Sequence, residues 1–161
     1  MKKNMLIAGN WKMNTNSFEA TKLIEYVAGG VAAMGNLAAK VLVCPPFTSI
    51  ESVAKVCAGT GISHGAQNCH FEAQGAFTGE ISIPMLKHLN CSYIIIGHSE
   101  RRAYFGETDE FINKKLKAIL SEEITPVLCI WETLDERNSG RTFDVLEKQL
   151  KGCLAGISSE E

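Results

Sequence analysis

The sequence predicts an α/β protein built on a parallel sheet, and three features carry that prediction. Short apolar runs alternate with longer amphipathic stretches; the clearest runs are rich in β-branched residues; and polar side chains gather just after each run. Continuously apolar runs are expected of strands buried on both faces, as in sheets covered by helices. Their alternation with helix-period segments marks βα units.

The elements follow in order. Met5-Leu6-Ile7-Ala8 predicts the first strand, and Ala20, Leu23, Ile24, Val27 and Val31 then share one helical face. Val41-Leu42-Val43-Cys44 predicts the second strand, and Thr48-Ser49-Ile50-Glu51 behind it has capping-box spacing. A weaker third strand spans Ile62 to Ala66, with a short helix from Pro84 to Leu89. Tyr93-Ile94-Ile95-Ile96 is the fourth, and Thr108 is placed to cap a helix whose apolar side is Ile112, Leu116, Ile119 and Leu120. Pro126-Val127-Leu128-Cys129-Ile130 is the fifth, and Leu146, Leu150, Cys153 and Leu154 repeat the same spacing after Thr142. Five βα units result. On rhythm and length alone they fit a complete doubly wound, flavodoxin-like sheet better than five-eighths of a (βα)8 barrel, whose usual length is about 250 residues.

The chain has 161 residues, enough for a single domain over 1–161, and a formal charge of −2. No basic stripe points to nucleic acid or to a membrane surface. Lys114, Lys115 and Lys117 form the densest basic cluster and read as a solvated helix face. Lys2 and Lys3 precede an apolar stretch, but Asn10, Lys12 and Asn14 interrupt it too early for a secretory signal. No apolar run approaches the ~20 residues of a membrane span. The six cysteines are scattered, with no CxxC pair, and read as buried thiols of a cytoplasmic protein.

Polar side chains crowd at the strand ends: Asn10 and Lys12 after the first, Gln67 and Asn68 after the third, His98, Ser99 and Glu100 after the fourth, Glu132 after the fifth. Parallel α/β folds place ligands at the carboxyl ends of their strands. Gly59-Thr60-Gly61-Ile62-Ser63-His64-Gly65 misses a dinucleotide fingerprint by one position and runs into a strand instead of out of one. No Walker-type cradle is present, and Gly97-His98-Ser99-Glu100-Arg101 lacks the closing glycine of a nucleophile elbow. His64, His70, His88 and His98 have no ligand-like spacing, so no metal is expected.

Ala8-Gly9-Asn10-Trp11-Lys12-Met13-Asn14, Gly75-Ala76-Phe77-Thr78-Gly79-Glu80 and Ile96-Gly97-His98-Ser99-Glu100-Arg101-Arg102 together resemble the signature segments of the triosephosphate isomerase family. Phe105-Gly106-Glu107-Thr108-Asp109 and Leu134-Asp135-Glu136-Arg137 continue the resemblance in the family's order. It implies a partial (βα)8 TIM barrel, the first five βα units of eight. It further implies interconversion of dihydroxyacetone phosphate and glyceraldehyde 3-phosphate through an enediolate, as in glycolysis and gluconeogenesis, with no cofactor.

Lys12 and His98 would then be catalytic. Lys12 would sit near the substrate's oxygens and phosphate, Asn10 would orient substrate and lysine, and Glu100 would support its neighbours. His98 would donate as neutral imidazole, a device for which this family is itself the standing example. Met13, Asn14 and Thr78 would lie at a two-fold interface, implying a homodimer.

The family's base is a glutamate in a Tyr-Glu-Pro-Val-Trp-like segment. No residue of this sequence matches it, and Glu160 and Glu161 are not candidates. General-base catalysis typically contributes about 10²- to 10⁴-fold, so these residues alone are expected to be inactive. An interrupted barrel would also leave the first and fifth strands without their usual neighbours. Trp131 stands where the family carries glycine, and would be strained if that position required positive φ. The alternative is a non-catalytic short isoform or interaction protein of the same family.

Overall fold

The computed structural model describes residues 5–158. Lys2, Lys3, Glu160 and Glu161 lie outside them. Five strands form: β1 (Met5–Asn10), β2 (Ala39–Cys44), β3 (Ile62–Ala66), β4 (Tyr93–Ile96) and β5 (Thr125–Leu128). The helices are α1 (Ser17–Ala33), α2 (Ile50–Cys57), α3 (Ile83–His88), α4 (Ser99–Phe105), α5 (Asp109–Ser121), α6 (Leu134–Asn138) and α7 (Thr142–Cys153).

The strand order is β1-β2-β3-β4-β5, and β1 to β4 pair in parallel. A doubly wound sheet reverses its order at a switch point, whereas a barrel adds each strand beside the last. The sequential order therefore overturns the doubly wound expectation drawn from rhythm. These are the first five βα units of a (βα)8 barrel.

The contacts divide the chain into two compact units. One runs to Asn68 and takes in Pro84–Ile94; the other comprises Cys69–Ile83 and runs on from Ile95.

In the first unit, Ala20 and Ile24 of α1 meet Val43, Val53, Cys57 and Ile62, with Val27, Val31 and Trp11 packed on the cluster. Leu23, expected on the same face, is 38% exposed, because it lies at the flank of the stripe. Asn16 caps α1: its Oδ1 accepts from the backbone N–H groups of Phe18 and Glu19, both at 3.0 Å, and Glu19 returns a bond to the Asn16 N–H. Asn16→Ala is expected to lower stability by about 1 kcal/mol, read from urea unfolding. Gly65 is required by close approach, since a Cβ there would fall 2.4 Å from the Tyr93 carbonyl oxygen on the neighbouring strand.

Two local expectations are corrected. Thr48 and Ser49 do not form a capping box: Phe47–Ser49 is a 3-10 turn, and Ser49 is held near-helical (φ −116, ψ −4) with its hydroxyl buried and unpartnered. Capping needs the extended conformation that Asn16 has. Thr142 is the first residue of α7, and Arg141 before it turns its N–H back to the Glu136 carbonyl. Finally, β1 is not buried on both faces, with Met5 61% and Ile7 54% exposed. Among the described residues it ends the strand order and pairs only with β2.

In the second unit, α5 packs on β5 and α7. Ile112, Leu116 and Ile119 are buried as their spacing predicts, and Thr108 caps the helix by accepting from the Phe111 N–H. On α7 only Cys153 is fully buried, while Leu150 and Leu154 stay exposed.

Lys115 breaks the pattern. Instead of lying on a solvated face with Lys114 and Lys117, it is 1% exposed. Its ammonium donates to Glu107 Oε1 at 2.6 Å, and Arg101 Nε donates to the same oxygen at 2.6 Å. The reason is helical phase: Lys115 sits beside Ile112, Leu116 and Ile119, so it turns inward with them. Glu107 Oε2 is buried without a partner. Burial pushes the Glu107 carboxyl up, but hydrogen bonds and charge from Lys115 and Arg101 prevail and hold it below its ordinary 4.5. Burial draws the Lys115 ammonium down against the opposing pull of Glu107.

A carboxylate whose folded value lies below its unfolded one stabilises fully above the unfolded value. That contribution is lost as pH falls through the folded value. Urea midpoints should therefore drop as pH falls below about 4.5, and Glu107→Gln should flatten that part of the profile.

The six cysteines are free thiols, five buried and Cys129 half-buried. Burial pushes Cys57 to about 11, and Cys69 and Cys91 to about 12. Such thiols are poor nucleophiles at neutral pH.

Candidate active site

Each candidate residue follows the carboxyl end of a strand. In the first unit, Asn10 closes β1 and Lys12 comes two residues later in a left-handed conformation, φ +54. Positive φ in a residue with a long side chain is sparsely populated and costs on the order of 1–3 kcal/mol. Two side chains hold it there. Asn10 Oδ1 accepts from the Lys12 N–H at 2.9 Å, and Gln67 Nε2 donates to the Lys12 carbonyl at 2.9 Å. The same Gln67 amide donates to Cys44 O at 2.9 Å, so one side chain from the end of β3 binds the exits of β1 and β2. Asn14 Nδ2 donates to the Trp11 carbonyl at 2.7 Å, and Met13 is 96% exposed. Sequence reading placed Gln67 at a strand end; its bracing of Lys12 needed coordinates, because the two lie 55 residues apart.

In the second unit, Gly97 adopts φ +70, and a Cβ there would fall 2.9 Å from the Cys129 carbonyl oxygen. Glycine is thus required twice over at the turn that launches His98. His98 is the N-cap of α4, its Nδ1 accepting from the Glu100 N–H at 3.3 Å. Glu100 Oε2 also lies 3.5 Å from Nδ1, a pairing that would need a proton on that nitrogen. The backbone donor already pointing at Nδ1 assigns it the acceptor role, so the neutral ring carries its proton on Nε2.

The footing of α4 is a set of charge-assisted bonds that sequence reading missed. Arg102 Nε donates to Gly97 O at 2.8 Å, and its Nη1 to Asp109 Oδ1 at 2.6 Å, while Arg101 reaches Glu107. Arg101 and Arg102 thus form ion pairs with Glu107 and Asp109. Gly106, in the left-handed region, ends α4 and turns the chain into Glu107. Thr78 is exposed on the Cys69–Ile83 segment.

Trp131 is not strained: it is absent from the positive-φ positions among the described residues. Gln149 on α7 clamps it, its Oε1 accepting from the Trp131 N–H at 3.0 Å and its Nε2 donating to the Trp131 carbonyl at 2.9 Å. Glu132 beside it accepts from Arg137 at 3.0 Å. Among the described residues, no cluster suits a metal ion and no helix is long and apolar enough to cross a membrane.

The family profile for triosephosphate isomerase matches residues 5–161. The chain belongs to the triosephosphate isomerase family. It is 49% identical over 156 residues to the triosephosphate isomerase of Endomicrobium trichonymphae, covering 97% of this chain and 62% of that protein. It is 50% identical to that of Aquifex aeolicus over 94% of this chain and 61% of the relative. The crystal structure of triosephosphate isomerase from Bartonella henselae superposes with a TM-score of 0.89 at 37% identity, over 96% of this chain and 63% of that one. The chain therefore spans about three-fifths of the length of the isomerases it matches.

Proposed function

We propose that these residues supply the electrophilic part of a triosephosphate isomerase site, interconverting dihydroxyacetone phosphate and glyceraldehyde 3-phosphate through an enediolate. The observation that carries this reading is the braced, left-handed Lys12 at the end of β1. Backbone strain that surrounding side chains maintain is concentrated at sites where a side chain must be held ready. The Lys12 ammonium meets the negative charge of phosphate and enediolate, and Asn10 orients both. His98 donates from Nε2 to the substrate oxygen on which charge develops, which lowers the barrier only to the extent that the bond strengthens in the transition state. Glu100 supports His98 from the first turn of α4. The complete enzyme is a cytoplasmic homodimer with Met13, Asn14 and Thr78 at its interface.

Proton removal from carbon falls to a carboxylate outside these 161 residues. A purified polypeptide of these residues should turn over triose phosphate at least about 10²-fold more slowly than the same chain extended to eight βα units with segments of a matched relative. A coupled isomerase assay reads the difference. Activity of the short form within about tenfold of the extended one would sink the assignment of the base to another segment.

A further inference from the structure

A glycine at φ +70 has no Cβ to restrict the peptide that follows it, and Gly97 is such a residue. That peptide is planar, so turning the Gly97 carbonyl swings the His98 N–H with it and changes φ of His98. His98 stands at φ −56, ψ 140, and these angles bring its Nδ1 to the Glu100 N–H at 3.3 Å. The carbonyl therefore needs a grip from outside the turn. Arg102 supplies one, its Nε donating to Gly97 O at 2.8 Å.

Two further helices hold Arg102 in turn. Its Nη1 donates at 2.6 Å to Oδ1 of Asp109, the first residue of α5, and its Nη2 donates at 3.3 Å to Cys153 Sγ of α7. The Cys153 thiol donates to the same Asp109 oxygen at 3.4 Å, closing a ring of three bonds. Gly152 lets α7 come this close, since a Cβ there would fall 2.7 Å from the Asp109 Cβ. The Arg102 side chain is 10% exposed and Cys153 is fully buried. A planar fork with all three nitrogens engaged fixes direction as well as charge.

We propose that Arg102 is a positioning residue for the isomerase reaction: by gripping the Gly97 carbonyl it sets the angle at which His98 presents Nε2, while Asp109 and Cys153 aim the grip. The proposal rests on the isomerase reading. Arg102 acts through one peptide plane and not on the substrate. A misplacement of about 1 Å, started away from the chemistry, can cost about 10²-fold in rate.

Arg102→Lys separates grip from charge. The ammonium can still pair with Asp109 but has no fork with which to hold Gly97 O as well. In the chain extended to eight βα units with segments of a matched relative, the variant should lower kcat at least about tenfold, with KM within about twofold. In the same parent, ¹⁵N spectra should show His98 protonated on Nε2 and not on Nδ1. The lysine variant should shift both signals toward those of a ring exchanging its proton between the two nitrogens. A lower urea midpoint with kcat and the His98 signals unchanged would overturn the proposal, since a merely structural role predicts that result. If the lysine variant does not fold, the parent decides. Its Arg102 Nε–H should exchange with water more slowly than that of Arg137, whose side chain is 71% exposed, and equal rates would overturn the grip. The two readings also separate. Turnover by the parent with His98 signals indifferent to Arg102→Lys would reject positioning and keep the isomerase. No turnover by the parent, with His98 signals that do respond, would reject the isomerase and keep Arg102 as the residue that aims His98.

Discussion

Replacing Glu107 by alanine is expected to destabilise the chain by about 3–5 kcal/mol, a large share of the roughly 5–15 kcal/mol of a typical domain. The carboxylate is the shared acceptor for Lys115 and Arg101. Without it, Arg101 can swing into water, being 28% exposed, but Lys115 at 1% cannot without repacking α5. An ammonium stripped of its charged acceptor in a low-dielectric site is what makes removal of one partner so costly. The control is Glu110→Ala in the first turn of the same helix, on an exposed side chain, which should change stability by no more than about 0.5 kcal/mol. A second comparison separates charge from packing. Glu107→Leu combined with Lys115→Met removes both buried charges and should recover most of the loss, because apolar replacements of buried pairs are often neutral. Urea unfolding followed by circular dichroism reads all three. An alanine variant within about 1 kcal/mol of the parent would mean that the Glu107 charge is not what holds Lys115 in place.

Lys12→Ala, made in a chain extended to eight βα units, should lower kcat/KM by about 10³-fold. A cation about 4 Å from an anion is worth roughly 4 kcal/mol at an effective dielectric near 20, and each 1.4 kcal/mol is about tenfold in rate. The variant also relieves a strained backbone only in part, since alanine keeps a Cβ at φ +54. Stability should therefore move little while turnover collapses. Lys114→Ala is the matched control: an equally charged side chain on the exposed side of α5, packed over the Phe71 ring, should change kcat/KM less than about twofold. Equal losses in the two variants would withdraw the catalytic role from Lys12. Gln67→Ala adds a further reading. It removes the brace on the Lys12 carbonyl without touching the ammonium, so its loss should be smaller than that of Lys12→Ala.

Legibility differed sharply between elements. β4 was read to the residue because four consecutive apolar side chains, three of them isoleucine, bounded by Ser92 and Gly97, leave little else possible. The inward face of α5 was read correctly for Ile112, Leu116 and Ile119 and wrongly for Lys115, since hydrophobic periodicity treats a lysine as a surface residue whatever its phase. Its counter-charge, Glu107, is eight residues away and outside the helix, ahead of the Thr108 cap, and no local pattern announces such a pairing. Capping failed at Thr48 for a related reason: the spacing was right, but a 3-10 turn took up the residues that would have made the cap. At Trp131 the departure from the family's glycine was legible and its consequence was not, because the relevant dihedral depends on the Gln149 clamp from α7.

The order and type of the βα units, the motifs bearing Lys12 and His98, and the membership of the chain in its family all lie in the linear sequence. They depend on short-range periodicity and on residues close together in the chain. The burial of Lys115, the bracing of Lys12 by Gln67 and the clamp of Gln149 on Trp131 were decided only by the tertiary structure. Each is a contact between residues far apart in sequence. Such contacts depend on which surfaces pack together, and a one-dimensional pattern constrains that only weakly.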